Sequence, residues 1–174
     1  MFEYGVLGLY GSLLQLLGYS YDAIQQYNNN NNIINKSPDY YGKILLTIGY
    51  IFVGLHYYDP NNKYTILYHN IGYSIILLFH VLSYLNKYNT PYKNYQILAI
   101  IAFSIIILNT ILNNEIVIFI GHIIIIAFYI LYIKDEYEIN KKYVKNIQNN
   151  INYSPLLHII GGTLFIGHYL QKYV

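Results

Sequence analysis

The residues with the most evident chemistry lie inside a hydrophobic stretch, TILYHNIGYSIILLFH, which covers residues 65–80. Within it, His69, Asn70, Ser74 and His80 carry hydrogen-bonding side chains. A polar group that enters the hydrocarbon of a bilayer costs several kcal/mol unless another group satisfies it. We therefore expect these side chains to face a neighbouring helix, a bound solute or a cofactor.

Helical spacing divides these side chains between two faces, because successive residues of an α-helix are rotated by about 100°. One face holds Asn70 and Ser74 with Tyr73 beside them, and the other holds His69, Tyr73 and His80. The first face offers neutral groups that suit either the hydroxyls of a sugar or hydrogen bonds between helices. The second suits metal or haem ligation, hydrogen bonding or proton transfer.

All six histidines lie in or beside hydrophobic stretches, and they are His56, His69, His80, His122, His158 and His168. His80 and His158 fall toward one end of the predicted spans, and the other four toward the opposite end. This arrangement in two levels would suit bis-histidine haem, with His69, His80, His158 and His168 as candidate ligands. No H-x-x-H or H-E-x-x-H spacing occurs. Neutral histidines that are hydrogen-bonded to nearby carbonyls or hydroxyls are the alternative.

Carboxylates are almost absent from the hydrophobic stretches, since Asp22 and Glu115 stand only at their ends. No pair of carboxylates is therefore placed for acid–base catalysis within the membrane. The chain also lacks cysteine, which excludes disulfides, thiol catalysis and cysteine-bound zinc. We predict that the protein is not an enzyme and that it needs no cofactor, outside the haem alternative.

The composition indicates a membrane protein. Of the 174 residues, 55% are hydrophobic and 10% are charged, with a mean hydropathy of +0.30. Soluble domains carry about 25% charged residues. A net charge of +2 without a single arginine gives no basis for nucleic-acid binding. The lipid bilayer is thus the expected surrounding of this chain.

The hydrophobic stretches predict an all-α polytopic bundle of about six transmembrane helices. These spans lie at about 3–20, 43–58, 64–86, 95–112, 115–133 and 155–173. The connections after the first, third and fifth spans hold eight lysines, and the opposite side holds only Lys63 and Lys172. Since cytoplasmic loops are enriched in basic residues, both termini are predicted to be extracytosolic. Which membrane holds the protein is left open.

A possible internal repeat relates the second and sixth spans. Both open with Ser-Pro, at residues 37–38 and 154–155. Both close on Phe-x-Gly followed by His-Tyr, which in the first copy includes Phe52 and His56 and in the second Phe165 and His168. Chance similarity between two hydrophobic helices is the alternative. A real repeat would indicate a bundle built from three-helix units.

The layout of residues 3–86 resembles one three-helix unit of the SWEET and SemiSWEET sugar transporters, the MtN3/PQ-loop superfamily. A glycine-rich first span is followed by a linker that ends in Lys-Ser, an aromatic and glycine-rich second span, and a third span that begins TILYHNIG. The Pro-Gln motif and the pocket tryptophan of that family are missing. The resemblance implies a three-helix unit at residues 1–90, then a linker helix and a second, incomplete unit at 91–174.

The resemblance also implies a facilitative carrier of a small, sugar-like solute that works by alternating access. Asn70 would bind the solute together with Tyr73 and Ser74, and Tyr50 or Phe52 would replace the missing tryptophan. The cytosolic gate would contain Tyr21, Asp22 and Gln25. An incomplete second unit makes a homodimer a further expectation. A scaffold or receptor of the same fold without transport, and a haem-binding electron carrier, remain the two alternatives.

Overall fold

The computed structural model describes residues 5–29, 38–85, 93–146, 153–171 and 173. These residues form six α-helices and no strand. The helices are α1 (Val6–Asn29), α2 (Pro38–Tyr58), α3 (Thr65–Leu85), α4 (Lys93–Leu112), α5 (Glu115–Asn146) and α6 (Ser154–Gln171). The all-helical prediction is therefore confirmed for the part of the chain that the structure describes.

The turn between α4 and α5 shows how the local sequence fixes a helix boundary. Asn113 has a φ of 46°, a left-handed conformation that asparagine tolerates better than most residues and that commonly ends a helix. The side-chain oxygen of Asn114 then accepts hydrogen bonds from the backbone N–H groups of Ile116, at 3.0 Å, and Val117, at 3.2 Å. These contacts cap the first turn of α5.

The six helices form a closed ring in sequence order. Each helix packs on the helix before it and the one after it, and α6 packs on α1. We call the two ends of the ring the Lys-loop end and the short-turn end. The Lys-loop end is where α1, α3 and α5 finish, and the short-turn end carries the turns at residues 59–64 and 113–114. The chain therefore runs alternately up and down around a common interior.

The first three helices form an arc of this ring. α3 packs on α2 and α4, and between the described residues of α1 and α3 there is no helix packing. α1, α2 and α3 are thus consecutive neighbours in the ring, and the same contact pattern continues through α4, α5 and α6. The division into units at residues 1–90 and 91–174 stays a prediction. Ring closure depends on the contact of α6 with α1.

Three of the described helical segments are long and apolar enough to cross a membrane: Thr65–Leu85, Tyr95–Leu112 and Glu115–Asp135. The chain therefore has the character of an integral membrane protein with a helical bundle. α1, α2 and α6 carry nine of the eleven glycines that lie in helices. α5 also continues beyond the predicted end of its span at residue 133 and reaches Asn146, so part of the predicted charged linker is helical.

Glycine brings α1 close to both of its neighbours. A Cβ atom at Gly11 would lie 3.2 Å from the backbone oxygen of Gly161 in α6, and one at Gly8 would lie 2.8 Å from the ring of Tyr57 in α2. Small residues at such crossings let helix backbones approach in a membrane, where hydrophobic burial adds little. The approach positions the polar side chains of α1 inside the ring.

Candidate functional site: the polar interior of the helix ring

A cavity of about 40 Å³ lies inside the ring, toward the Lys-loop end. Five helices, α1 to α5, contribute to its wall. Its polar lining residues are Tyr19, Lys43, His80, Tyr95, Gln96 and Tyr132, and Leu46, Phe79 and Phe128 complete it. This volume accommodates about three water molecules. Hydroxyl, amide, imidazole and ammonium groups thus surround one small space.

The imidazole of His80 has a defined tautomer. Its Nδ1 atom is in close hydrogen-bond contact with Oε1 of Gln96, and both side chains are buried. Because an amide oxygen only accepts hydrogen bonds, Nδ1 carries the proton and donates it. The Nε2 atom is then an acceptor. The ring of Phe103 stacks on His80 with 5.5 Å between centroids, which fixes the orientation of the imidazole.

A charged cluster lies beside the cavity and joins three helices. Asp22 of α1 is 3.3 Å from Nζ of Lys43 in α2 and 3.3 Å from Nε2 of His158 in α6. Asp22 lies beyond the hydrophobic part of α1. Burial alone would raise the pKa of Asp22, but the hydrogen bond with His158 and the charge of Lys43 together lower it from 3.8 to about 2. Asp22 is therefore ionised at neutral pH.

Both ring nitrogens of His158 face oxygen atoms that only accept hydrogen bonds. Nδ1 lies 2.8 Å from Oε1 of Gln15, and Nε2 lies 3.3 Å from Asp22. Exchanging the oxygen and nitrogen positions of the Gln15 amide would lose a hydrogen bond, because its Nε2 donates to the backbone oxygen of His158 at 3.1 Å. His158 of α6 is therefore held by two side chains of α1, Gln15 and Asp22, through both of its ring nitrogens.

Tyrosine hydroxyls fill much of the remaining interior. The hydroxyl oxygen of Tyr19 lies 3.2 Å from that of Tyr132, and the hydroxyl oxygen of Tyr50 lies 3.3 Å from that of Tyr129. In a third set, the hydroxyl oxygen of Tyr73 lies 3.0 Å from that of Tyr57 and 3.2 Å from that of Tyr169. Each hydrogen bond joins two different helices, so the hydroxyls are shared across the ring.

Imidazoles collect around the tyrosines at the short-turn end. The ring of His56 lies 4.9 Å from that of His69, and the ring of His168 lies 4.7 Å from that of Tyr57. Thr65 holds His56 through contacts to Nδ1 at 3.0 and 3.2 Å. This end therefore has neutral polar and aromatic groups, whereas the Lys-loop end has the charged cluster.

The structure divides the predicted solute-binding residues. Tyr50 and Tyr73 are buried in the core, whereas Phe52 is half-buried and packs on Tyr68 of α3. Asn70 is half-buried at the short-turn end, where its side-chain oxygen contacts His69 at 3.3 Å. None of these residues lines the cavity.

Ser74, another predicted solute-binding residue, is exposed on the outside of the ring. The buried residues of α3 are Gly72, Tyr73, Ile76, His80 and Ser83. That set contains His80 and Tyr73, which belongs to both predicted faces, whereas His69 and Asn70 are both half-buried. A serine hydroxyl can bond to a carbonyl of its own helix, which makes this exposure tolerable.

The predicted gate residues lie on α1 toward the Lys-loop end. Asp22 belongs to the charged cluster, and Tyr21 and Gln25 are half-buried on the same helix. The gate hypothesis therefore has one member, Asp22, that links three helices. Its partners His158 and Lys43 were not among the predicted gate residues.

The four candidate haem ligands have protein contacts of their own. Gln96 contacts His80, Gln15 and Asp22 contact His158, Asn70 contacts His69, and the ring of Tyr57 contacts His168. Within the described ranges, no group of three metal-binding side chains is positioned to hold an ion. The arrangement supports hydrogen-bonded histidines better than ligands.

Sequence reasoning missed most of the cavity wall, namely Tyr19, Lys43, Tyr95, Gln96 and Tyr132. One available signal was Gln96, an amide within two residues of the predicted start of a span, which would pair with a polar group on a neighbouring helix. Comparison of the chain with family models, with curated proteins and with solved structures gave no match. The function is therefore argued from the geometry of this interior.

Proposed function

We propose that this protein is a facilitative membrane carrier for a small, neutral, hydroxyl-bearing solute, and that the solute binds in the cavity at the Lys-loop end. The cavity wall is the observation that carries the proposal, since it gathers hydrogen-bonding groups from several helices around one space. Ligand sites between the helices of a bundle commonly have this mixture of apolar walls and a few polar groups.

The charges around the cavity favour a neutral solute. Lys43 is the cation in its wall, and the carboxylate of Asp22 lies 3.3 Å from the ammonium. The positive charge is therefore compensated before any solute enters. The Nε2 atom of His80 accepts hydrogen bonds, and tyrosine hydroxyls both donate and accept. Such a set matches an alcohol or a sugar better than an anion.

The proposal keeps the sugar-like solute class that the SWEET resemblance implies, but it places binding at other residues. It rests on Gln96, His80 and Tyr132 instead of Asn70 and Ser74. Space for about three water molecules is less than a monosaccharide needs. Transport therefore requires the helices around the cavity to separate, as in alternating access. We place the Lys-loop end in the cytosol, in accord with the distribution of lysine.

Solute flux into liposomes tests this proposal. Purified protein would be reconstituted, and the uptake of radiolabelled glycerol, glucose and acetate would be measured against protein-free liposomes. We expect uptake of at least one neutral solute and none of acetate. Replacing Gln96 by leucine should abolish the uptake, because leucine fills a similar volume without hydrogen bonds.

Ser74→Ala is the matched control, since this hydroxyl faces away from the interior. It should transport as well as the unmodified protein. Absence of uptake for every neutral solute would support a scaffold or receptor without transport. Equal uptake by the Gln96→Leu variant would show that the solute does not use this cavity.

A further inference from the structure

We propose that α4 and α5 form a mobile hairpin, which swings away from the other four helices and so opens the cavity at the Lys-loop end. We call α6, α1, α2 and α3 the stationary body. The proposal rests on how the helices pack against one another and on the position of the cavity. Only the entry of a solute through this opening rests on the proposed carrier function.

Glycine holds the helices of the stationary body close together. A Cβ atom at Gly11 in α1 would lie 3.2 Å from the backbone oxygen of Gly161 in α6. One at Gly72 in α3 would lie 3.0 Å from the backbone oxygen of Gly49 in α2. The ion pair of Asp22 joins α1 to α2. Moving one of these helices away from the next would therefore separate backbones in close contact or break an ionic contact.

The local sequence ties α4 and α5 to each other. The two connecting residues, Asn113 and Asn114, donate backbone hydrogen bonds to Asn109 near the end of α4, at 2.8 Å to its backbone oxygen and 3.0 Å to its side-chain oxygen. A Cβ atom at Gly121 in α5 would lie 2.8 Å from Cγ2 of Ile105 in α4. The two helices therefore form one hairpin with a fixed turn.

The hairpin packs on the stationary body through side chains. α4 has no glycine, and the single glycine of α5 faces α4. A Cβ atom at Gly162 of α6 would meet side chains of α5 instead of its backbone. Aromatic pairs are part of this packing, with 5.6 Å between the ring centroids of Phe103 and Tyr73 and 5.4 Å between those of Tyr129 and Phe165. In a bilayer, lipid chains can replace such apolar contacts.

The cavity lies between the hairpin and the stationary body. The hairpin supplies one side of its wall, with Tyr95, Gln96, Phe128 and Tyr132. Polar contacts cross the cavity region, from Tyr132 to Tyr19 and from Gln96 to His80. Outward movement of the hairpin separates these partners, and water or the hydroxyls of a solute can take their places. The ammonium of Lys43 also lies in the wall, so its contacts rearrange as the space widens.

A division of the ring into two units of three consecutive helices would instead require α6 to leave α1. That separation would break the close approach of Gly11 to Gly161 and the hydrogen bonds between Gln15 and His158. Movement of the hairpin keeps these contacts and opens the ring where side chains meet. The two divisions differ in whether the distance between α3 and α6 changes.

Distances across the ring test the hairpin motion without any transport. Pairs of cysteines at exposed positions would be labelled with nitroxides and measured in liposomes by pulsed electron paramagnetic resonance. Ile48→Cys with Ile130→Cys labels α2 and the hairpin. Leu85→Cys with Leu156→Cys labels α3 and α6, both in the stationary body. We expect a second, longer distance for the first pair and a single distance for the second, and any other combination would overturn the proposal.

A disulfide between the hairpin and the stationary body tests whether solute entry uses this motion. Gly162→Cys with Ile133→Cys would join α6 to α5, because a Cβ atom at residue 162 would lie 3.2 Å from Cγ1 of Ile133. Ser12→Cys with Gly54→Cys is the matched control within the stationary body, since their Cβ atoms would lie 3.9 Å apart, a distance that suits a disulfide. Oxidation should abolish the uptake of glycerol and glucose by the first variant and leave that of the control unchanged.

Reduction should restore the uptake by the first variant, which makes its reduced form a control for folding. Equal uptake by its oxidised and reduced forms would overturn the proposal, because the cavity would then open without the hairpin. Absence of uptake by the unmodified protein would contradict the carrier function alone. In that case, or if the reduced variant transports nothing, the nitroxide distances decide the hairpin motion.

Discussion

The two ends of the ring interior use different chemistry to join the same helices. At the Lys-loop end, the carboxylate of Asp22 connects α1, α2 and α6 through contacts to Lys43 and His158. At the short-turn end, Tyr73 connects α2, α3 and α6 through neutral hydroxyl contacts to Tyr57 and Tyr169. At each end, a single side chain, Asp22 or Tyr73, therefore contacts two helices other than its own.

The difference between the two ends indicates where substitutions should reduce the stability of the protein most. Removing one partner from a buried ionic group leaves uncompensated charge, whereas removing a neutral hydroxyl costs only its net hydrogen bonds. The cavity lies at the charged end, so a movement that opens the cavity must also rearrange charged contacts. The neutral end can keep its contacts while that happens.

The largest effect is expected from Asp22→Asn. It preserves the size of the side chain but leaves Lys43 without its counter-charge and removes the carboxylate that contacts His158, which should destabilise the protein by about 3 kcal/mol. Unfolding in mixed micelles with increasing sodium dodecyl sulfate would measure the loss. A change below the effect of Tyr73→Phe would contradict the distinction between the two ends.

Acid should reproduce part of this effect. The pKa of Asp22 is lowered from 3.8 to about 2, so its contribution to stability is fully present above pH 3.8 and is lost as the pH falls through about 2. Titrating the unmodified protein and Asp22→Asn over this range should bring their stabilities together. Curves that stay parallel would show that Asp22 is not the group responsible.

The next effect concerns the space around His158. A Cβ atom at Gly18 would lie 2.6 Å from Cε1 of His158, whose ring is held by Gln15 and Asp22. Gly18→Ala should therefore cost about 2 kcal/mol through overpacking. At Gly167 the nearest atom is the end of the flexible Leu7 side chain, at 3.2 Å. Gly167→Ala should be neutral or stabilising, and the same unfolding assay compares the two.

A smaller effect is expected at the neutral end. Tyr73→Phe keeps the ring and removes two hydroxyl contacts, which should cost about 1 kcal/mol. The double variant with Tyr57→Phe should cost less than the sum of the single variants, because both lose the same bond. Strict additivity in the unfolding assay would show that the two hydroxyls do not interact.

The smallest effect is expected at Ser74, which faces the outside of the ring. Ser74→Ala should change the stability by less than about 0.5 kcal/mol. This variant sets the baseline for both ends. A loss as large as that of Tyr73→Phe would mean that the hydroxyl has a partner outside this chain, such as a second copy.

The sequence predicted the positions of the helices better than it predicted which side of each helix faces the interior. The lengths of the hydrophobic stretches predicted six helices. Because successive spans run in opposite directions, His80 and His158 were expected at the same end of the bundle, where the structure also places them. The exposure of Ser74 was not predicted, because lipid-facing and interior positions are both hydrophobic in a bundle of this kind. Periodicity of hydrophobic residues then does not tell inside from outside.

The charged cluster could not be predicted because it depends on closure of the ring. Gln15 and His158 are 143 residues apart, and only the contact of α6 with α1 brings them together. The gate role of Asp22 was implied by the SWEET resemblance. Its partners lie on α2 and α6, and no local spacing relates them to it.

Access to the cavity from water tests the central claim most directly. The chain has no cysteine, so Leu46→Cys in the cavity wall would be the only thiol of its variant, and Ser74→Cys the only thiol of the control. Each would be exposed to a membrane-impermeant thiol reagent in liposomes, with and without a transported solute. We predict that Leu46→Cys reacts, that the solute slows the reaction, and that Ser74→Cys stays unmodified. A Leu46→Cys variant that never reacts, or that reacts equally with the solute present, would contradict the account.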